Sequence, residues 1–238
     1  MSGDAGWWVL LHGAPLTPAV WDGVAAHLGR AGHVLCPDVS LASSASEGSQ
    51  GQAGLAARLA SAHSGLPERM HVAGHSFGGQ VALDLALLIP DRIQTVTLIC
   101  SRDTPFPAFA VAAATLRRGG PVDIDAALSR WFTAPERQAN GPVVRYAREC
   151  LADADRRSWA AALDAIARYD RAGCVAAISA PVTLIAAELD PVSTPAVMSA
   201  LASRLPRASL TVLPGAAHMS PFTDPAALAS VMPGGQRS

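Results

Sequence analysis

Short apolar runs alternate with longer segments of helical periodicity towards both ends of the chain. The apolar runs cover residues 7–11, 33–36, 70–73, 95–100, 181–186 and 209–213. Each run is continuous rather than alternating with polar residues, which is typical of strands covered on both faces. Segments of helix length lie between them, at residues 20–30, 54–64, 79–89 and 196–205. This order predicts an α/β fold, with a mostly parallel sheet of about six strands and helices on both faces.

Two segments interrupt the alternation. Residues 40–52 are rich in Ser, Ala and Gly, which predicts a mobile loop. Between Cys100 and Pro181 strand patterns cease, and helical patterns occupy residues 109–117, 124–132, 143–151 and 157–169. A helical insertion at this point is most simply a lid over the carboxyl ends of the strands, where open α/β sheets bind ligands. We therefore predict a core formed by residues 1–102 and 175–238, and a helical lid formed by residues 103–174.

Composition narrows the classes of function. The length of 238 residues suits one domain with an insertion, and 50% apolar residues against 16% charged ones allow a large core. A net charge of −1 gives no electrostatic basis for binding nucleic acid or an anionic membrane. All 18 basic residues are arginine, which excludes a Schiff-base lysine and a P-loop lysine.

The four cysteines and the first six residues indicate the cellular compartment of the protein. Cys36, Cys100, Cys150 and Cys174 lie far apart and form no C-x-x-C pair, so we interpret them as small apolar side chains in a reducing environment. The first six residues lack the basic segment of a secretory signal, and charged residues interrupt the longest apolar stretch, at 83–100. The sequence predicts a soluble, cytoplasmic protein.

The pattern G-x-S-x-G occupies residues 74–78, directly after a predicted strand and at the start of a predicted helix. Such a short turn strains the backbone of its central residue, and the flanking glycines allow the close approach that exposes the hydroxyl. This context, more than the five letters alone, predicts that Ser76 is a catalytic nucleophile.

A serine nucleophile needs a base that takes its proton, and the base needs an acid that orients it. His218 is the only histidine after residue 75 and follows the last predicted strand, so we predict that it is the base. Asp190 follows the neighbouring strand, is stiffened by Pro191, and is favoured as the acid. Asp103 and Glu188 also follow strands and remain alternatives.

A tetrahedral intermediate also needs N–H donors placed where its oxyanion develops. The residue after the nucleophile, Phe77, supplies one amide. The loop after the first strand supplies the second, and Ala14 is its natural donor because Pro15 has no N–H. Ala14 and Phe77 are therefore the predicted oxyanion hole.

Taken together, these motifs resemble those of the α/β-hydrolase family over about residues 7–230. The motifs are H-G-x-P at 12–15, G-H-S-x-G-G at 74–79, an acid at Asp190 and A-x-H at 216–218. The resemblance implies an α/β-hydrolase fold with a Ser-His-Asp triad beneath a helical lid. Residues 130–132, 165–170 and 189–195 are most similar to the 3-oxoadipate enol-lactonase branch of that family.

Two features depart from the family pattern. Members usually begin with an extra pair of strands, and we expect this edge pair to be absent because the first predicted strand starts at Trp7. The family segment D-x-R-G-x-G-x-S corresponds to residues 38–46, which lack the arginine and the glycines. The resemblance therefore does not define this loop or its contribution to the pocket.

The residues and the resemblance predict a serine hydrolase that cleaves a small ester or lactone through an acyl-enzyme. The enol-lactonase resemblance implies a substrate carboxylate, which Arg130, Arg137, Arg145 or Arg148 could bind. Each arginine could equally be a solvated lid residue, and Trp131 could form a pocket wall or a packing anchor.

Other functions stay open at this point. The same triad is similar to that of C–C bond hydrolases and of cofactor-free perhydrolases or haloperoxidases, and a non-catalytic member would bind a small ligand in the same pocket. No H-E-x-x-H or C-x-x-C spacing occurs, and no G-x-G-x-x-G follows a strand. We therefore expect a small-molecule substrate, no metal and no cofactor.

Overall fold

A single parallel sheet organises the protein. The computed structural model describes residues 6–29, 32–41, 51–61 and 65–233. The sheet contains six strands in the order β2-β1-β3-β4-β5-β6, and every neighbouring pair is parallel. The strands are β1 (Trp7–Leu11), β2 (His33–Leu35), β3 (Met70–His75), β4 (Ile93–Ile99), β5 (Val182–Ala187) and β6 (Ala208–Leu213). The predicted α/β fold is confirmed, and each strand ends within two residues of its predicted bounds.

Ten α-helices occupy the described ranges. They are α1 (Asp22–Leu28), α2 (Gln52–Ala60), α3 (Phe77–Leu88), α4 (Ala108–Arg117), α5 (Ile124–Trp131), α6 (Ala134–Ala139), α7 (Pro142–Asp153), α8 (Arg156–Arg168), α9 (Pro195–Arg204) and α10 (Pro225–Val231). None of the helices in these ranges is long and apolar enough to cross a bilayer.

The loop prediction for residues 40–52 is wrong at its end, because Gln52 begins α2. The buried side chain of Gln52 donates a hydrogen bond to Gln80 of α3 at 2.6 Å, which ties the start of α2 to the core. Residues 42–50, the centre of the predicted loop, lie outside the described residues, as do residues 30 and 62–64 at the ends of two predicted helices.

Side chains of β1 alternate between two core clusters, one on each face of the sheet. Val9 and Leu11 pack in the cluster that contains α2, α3 and α9. Trp8 and Leu10 pack in the cluster that contains α1 and α10. Since both faces are covered, every position of such a strand gains free energy from apolar burial, which explains why the apolar runs are continuous.

The segment between β4 and β5 is helical, as predicted. Helices α4, α5, α7 and α8 correspond to the four predicted ones, and α4 packs along α8. Helix α6 was not predicted, because six residues are too short to show a period. It begins at a capping box formed by Thr133 and Glu136 and ends at Asn140, whose φ of 46° is left-handed. The division of the chain into a core and a lid of residues 103–174 stays a prediction.

The strand order places a crevice at one edge of the sheet. From β1 the chain moves outward to β2 and then returns to the other side of β1 as β3, which makes the gap between β1 and β3 a topological switch point. Leu11 at the end of β1 lies opposite Gly74 in β3, and His75 lies opposite Ile99 in β4. The residues that follow these strands therefore meet at the carboxyl edge.

Candidate active site

Ser76 occupies a strained turn between β3 and α3. Its φ of 52° and ψ of −117° are unusual for a residue with a side chain, and such a conformation costs about 1–3 kcal/mol. A side chain at Gly74 would collide with the carbonyl oxygen of Gly78, and one at Gly78 would collide with that of Leu11. The end of β1, β3 and α3 thus approach so closely that both positions need glycine.

His218 follows β6 and forms a short hydrogen bond with Asp190, which follows β5. The imidazole Nδ1 lies 2.7 Å from Asp190 Oδ2, and both side chains are buried. The other carboxylate oxygen accepts the N–H groups of Val192 at 2.8 Å and Ser193 at 3.1 Å. Burial alone would raise the pKa of Asp190, but His218 and the two amides outweigh it and hold the pKa below its ordinary value. The Asp190 carboxyl group is therefore ionised beside the imidazole of His218.

The two alternative acids have other partners. The fully buried carboxylate of Asp103 forms a two-pronged ion pair with Arg204, at 2.9 Å to Nε and 2.7 Å to Nη2. Glu188 accepts the N–H of Gly215 at 2.6 Å. Of the three candidates, the structure brings Asp190 to the imidazole of His218.

His75, the variable residue inside G-x-S-x-G, was not predicted to have a role. Its Nε2–H donates to the carbonyl oxygen of His218 at 3.2 Å, and the two rings lie 4.7 Å apart. Its Nδ1 is buried without a hydrogen-bond partner among the described atoms. Burial and the neighbouring His218 ring hold the pKa of His75 well below its ordinary value. His75 is therefore a neutral donor that fixes the main chain of the histidine loop.

The loop after β1 lies directly against the turn that carries Ser76. A Cβ built on Gly13 would lie 3.2 Å from the Cβ of Ser76 and 2.8 Å from Nδ1 of His75. Ala14, the next residue, lines the same cavity as Ser76. Phe77 is the first residue of α3, where an N–H has no partner within the helix. Both predicted oxyanion donors thus belong to backbone that adjoins Ser76.

His12 holds the loop after β1 against the segment that follows β2. Its buried Nε2 lies 3.0 Å from Asp38 Oδ1 and 3.0 Å from the amide nitrogen of Val39. The hydrogen bond with His12 holds the pKa of Asp38 well below its usual value. Although the segment from Asp38 onward departs from the family pattern, its first residue still holds the H-G-x-P loop in place.

A cavity of about 230 Å³ opens above Ser76 and His218. Helices α4, α5 and α8 supply most of its walls. The largest apolar side chains that line it are Phe109, Leu116, Trp131, Trp159, Leu163 and Ile166. Arg130 is the one arginine among the described lining residues, and Asp123, the one lining carboxylate, caps α5 through the N–H of Ala126. The cavity suits an apolar group with at most one anionic substituent.

The predicted substrate-binding residues separate into two groups. Arg130 and Trp131 line the cavity. Arg145 does not line it, and its guanidinium instead donates to the carbonyl oxygen of Asn140 at 2.6 Å. Arg148 pairs with the exposed Asp125 at 2.9 Å. Arg137 does not line the cavity either, so Arg130 is the one of the four predicted lid arginines that does.

Cys100 completes the one group of three metal-type ligands found in the described part of the chain. Its Sγ and ligand atoms of Asp190 and His218 all lie within 4.8 Å of one another. Burial, and then the negative charge of Asp190, raise the pKa of the Cys100 thiol well above its ordinary value. Because the thiol keeps its proton and His218 already bonds to Asp190, the group is a hydrogen-bonded cluster rather than a set of free ligands.

The sequence matches the model of a family described as "Alpha/beta hydrolase family" over residues 8–231. The putative carbamate hydrolase RutD of Pseudomonas syringae pv. syringae (strain B728a) is 32% identical over 168 residues, which cover 66% of this chain and 64% of that protein. The 3-oxoadipate enol-lactonase 1 of Acinetobacter baylyi is 29% identical over 130 residues, 53% of this chain and 49% of that protein. The alignments thus span less than two thirds of the length of these two relatives.

Solved structures agree with this match. The crystal structure of the enol-lactonase from Burkholderia xenovorans LB400 superposes with a TM-score of 0.83 and 27% identity, covering 92% of this chain and 86% of that one. The predicted resemblance is confirmed for the family, and enol-lactonases occur among both the sequence relatives and the structural neighbours.

Proposed function

The chain belongs to the alpha/beta hydrolase family, and from this premise we propose that it cleaves small carboxylic esters or lactones through an acyl-enzyme on Ser76. One observation carries the proposal. His218, which is hydrogen-bonded to Asp190, lines the same cavity as the strained Ser76, so base and nucleophile share one chamber. A nucleophile, a base and an acid at one cavity are the arrangement that acyl transfer to water needs.

Acylation follows from the roles of these groups. Ser76 Oγ attacks the substrate carbonyl carbon while its proton moves to Nε2 of His218. The carbonyl electrons move to oxygen, and the amides of Ala14 and Phe77 stabilise that charge. When the intermediate collapses, the C–O bond to the leaving alcohol breaks and His218 returns the proton to it. In a lactone the leaving oxygen stays attached to the acyl group.

Deacylation uses the same groups in reverse. Water attacks the acyl-enzyme carbonyl as His218 takes a proton from it, and the second tetrahedral intermediate releases the acid and restores the Ser76 hydroxyl. Asp190 stays ionised throughout and stabilises the imidazolium that forms twice per turnover. Its lowered pKa is consistent with this role.

The cavities indicate what the substrate looks like. The first cavity is apolar around Ser76 and has Arg130 in its wall. A second cavity of about 220 Å³ shares Ala14 and Trp159 with the first and extends towards Leu41. A carbonyl held at Ala14 therefore has space on both sides, as an ester or ring-opened lactone requires. The names of the relatives, which include an enol-lactonase and a putative carbamate hydrolase, support acyl transfer to water.

Steady-state hydrolysis tests the proposal. Wild type and Ser76→Ala are assayed with p-nitrophenyl acetate, p-nitrophenyl butyrate, an enol-lactone and an aryl carbamate. We expect at least one of these substrates to be hydrolysed, with kcat lower by about 10³-fold or more in the variant. Undiminished turnover by Ser76→Ala, or no turnover of any substrate by the wild type, would reject the proposal. Product analysis with peroxide added shows whether the acyl group also reaches a peracid.

A further inference from the structure

The loop that carries His218 is bonded to the helical segment above it. The N–H of Met219 donates to the carbonyl oxygen of Trp131, the last residue of α5, at 2.8 Å. The hydroxyl of Ser220 donates to Oε2 of Glu136 in α6 at 2.9 Å. The residues on the C-terminal side of the base thus make one hydrogen bond to the end of α5 and one to α6.

Glu136 Oε2 and Ser220 Oγ each take part in further hydrogen bonds at this junction. The same carboxylate oxygen of Glu136 accepts the N–H and the hydroxyl of Thr133, at 2.7 and 2.8 Å, as part of the capping box of α6. Ser220 Oγ also accepts the N–H of Ala217 at 2.8 Å. A chain of hydrogen bonds therefore runs from Glu136 through Ser220 to the residue that precedes His218. Bonds to an ionised acceptor are among the stronger hydrogen bonds in proteins.

The opposite side of the same loop is held by the sheet, where His75 donates to the carbonyl oxygen of His218. His218 is thus held between one bond from the core and a set of bonds from α5 and α6. Trp131, whose carbonyl takes part, also lines the cavity with its neighbour Arg130. The substrate-facing end of α5 and the base therefore belong to one connected unit.

We propose that Glu136 and Ser220 are a positioning pair, which holds His218 at its working distance from Ser76 and links that distance to the placement of α5 and α6. The proposal rests on the proposed function of Ser76 and His218. Neither Glu136 nor Ser220 lines the cavity above Ser76, so the pair acts on the reacting groups through the histidine loop alone. Displacement of a catalytic group by about 1 Å can cost about a hundredfold in rate.

Three single variants separate this role from simple stabilisation of α6. Ser220→Ala removes the link but leaves the capping box, whereas Thr133→Val removes the capping hydroxyl but leaves the link. Ser220→Thr keeps a hydroxyl in place. We expect kcat to fall about tenfold in Ser220→Ala with KM within about twofold, and to recover in Ser220→Thr. Thr133→Val lowers the melting temperature but keeps kcat within about twofold.

A double-mutant cycle measures how strongly the effects of Glu136 and Ser220 on kcat depend on each other. If the pair acts as a unit, Glu136→Ala and Ser220→Ala each lower kcat, and the double variant loses little more than either single one. Thr133→Val combined with Ser220→Ala shows additive effects on kcat. If Glu136→Ala does not fold, the single variants at positions 220 and 133 decide the question.

Labelling of Ser76 distinguishes failure of the positioning pair from failure of the proposed function. The rate at which a fluorophosphonate labels Ser76 reports the activation of the nucleophile without a substrate. A wild type that is not labelled contradicts the proposed function. A labelled wild type with an equal labelling rate and an equal kcat in Ser220→Ala overturns the positioning pair, as does a Thr133→Val variant that loses as much kcat as Ser220→Ala.

Discussion

At the scale of single residues, the site depends on which carboxylate bonds to which basic side chain. Asp103 and Asp190 are both buried aspartates that follow neighbouring strands, and the sequence favours Asp190 without excluding Asp103. The structure separates them through their partners, since Asp103 pairs with Arg204 and Asp190 with His218. Arg204 lies 101 residues from Asp103 along the chain, so no local pattern could reveal that pairing.

Matched substitutions at these two aspartates test the assignment. Asp190→Asn should lower kcat by about 10³- to 10⁴-fold, because a neutral amide neither fixes the imidazole tautomer nor stabilises the imidazolium. Asp103→Asn should leave kcat within about threefold but lower the free energy of unfolding by about 2 kcal/mol. This is less than for a fully buried pair because the Arg204 side chain is 30% exposed. Steady-state kinetics and urea unfolding of both variants check this, and the reverse pattern would assign the acid to Asp103.

His75 predicts a pH dependence of stability. Its folded pKa lies well below its ordinary value of about 6.5, so below about pH 6.5 the unfolded chain binds a proton that the folded protein does not. The neutral His75 thus contributes to the free energy of unfolding in full above that pH. The contribution is lost as the pH falls, by at most about 1.4 kcal/mol per pH unit. His75→Gln removes it. Urea unfolding at about pH 8 and pH 5 should show wild type losing more stability than the variant, and an equal or smaller loss would contradict the neutral His75.

At the scale of elements, the apolar runs predict all six strands because a strand buried on both faces needs apolar residues at every position. Helix α6 escapes prediction because it is shorter than two turns, and its one readable signal is the capping box from Thr133 to Glu136. The turn between β3 and α3 is predicted well, since the close approach of β1, β3 and α3 restricts Gly74 and Gly78 so strongly that the restriction is visible in the sequence.

Gly78→Ala tests that close approach. The added methyl group would collide with the backbone carbonyls of Leu11 and His12, which cannot move without shifting β1. We expect the free energy of unfolding to fall by about 3 kcal/mol, or the protein not to fold. Gly173→Ala is the matched control because a Cβ at Gly173 has no neighbour within 4 Å, and it should change stability by less than about 0.5 kcal/mol. Equal stability of the two variants in thermal unfolding would contradict the packing described here.

At the scale of the whole molecule, the parallel sheet explains why residues from four distant loops meet. Each of these loops follows the carboxyl end of a strand, and parallel strands present those ends at one edge. The convergence depends on the arrangement of the strands, and the sequence predicts that arrangement through its alternating apolar runs and helical segments. The sequence does not predict which helix residues face inward. Arg130 and Arg145 look equivalent in the sequence, yet only Arg130 lines the cavity.

Covalent labelling shows whether His218 activates Ser76 in the folded protein. The full chain is treated with a fluorophosphonate, and the site of addition is found by peptide mass spectrometry. We expect one adduct per chain on Ser76, no adduct in Ser76→Ala, and labelling slower by about 10³-fold or more in His218→Ala. An adduct on another residue, or an undiminished labelling rate in His218→Ala, would contradict activation of Ser76 by His218.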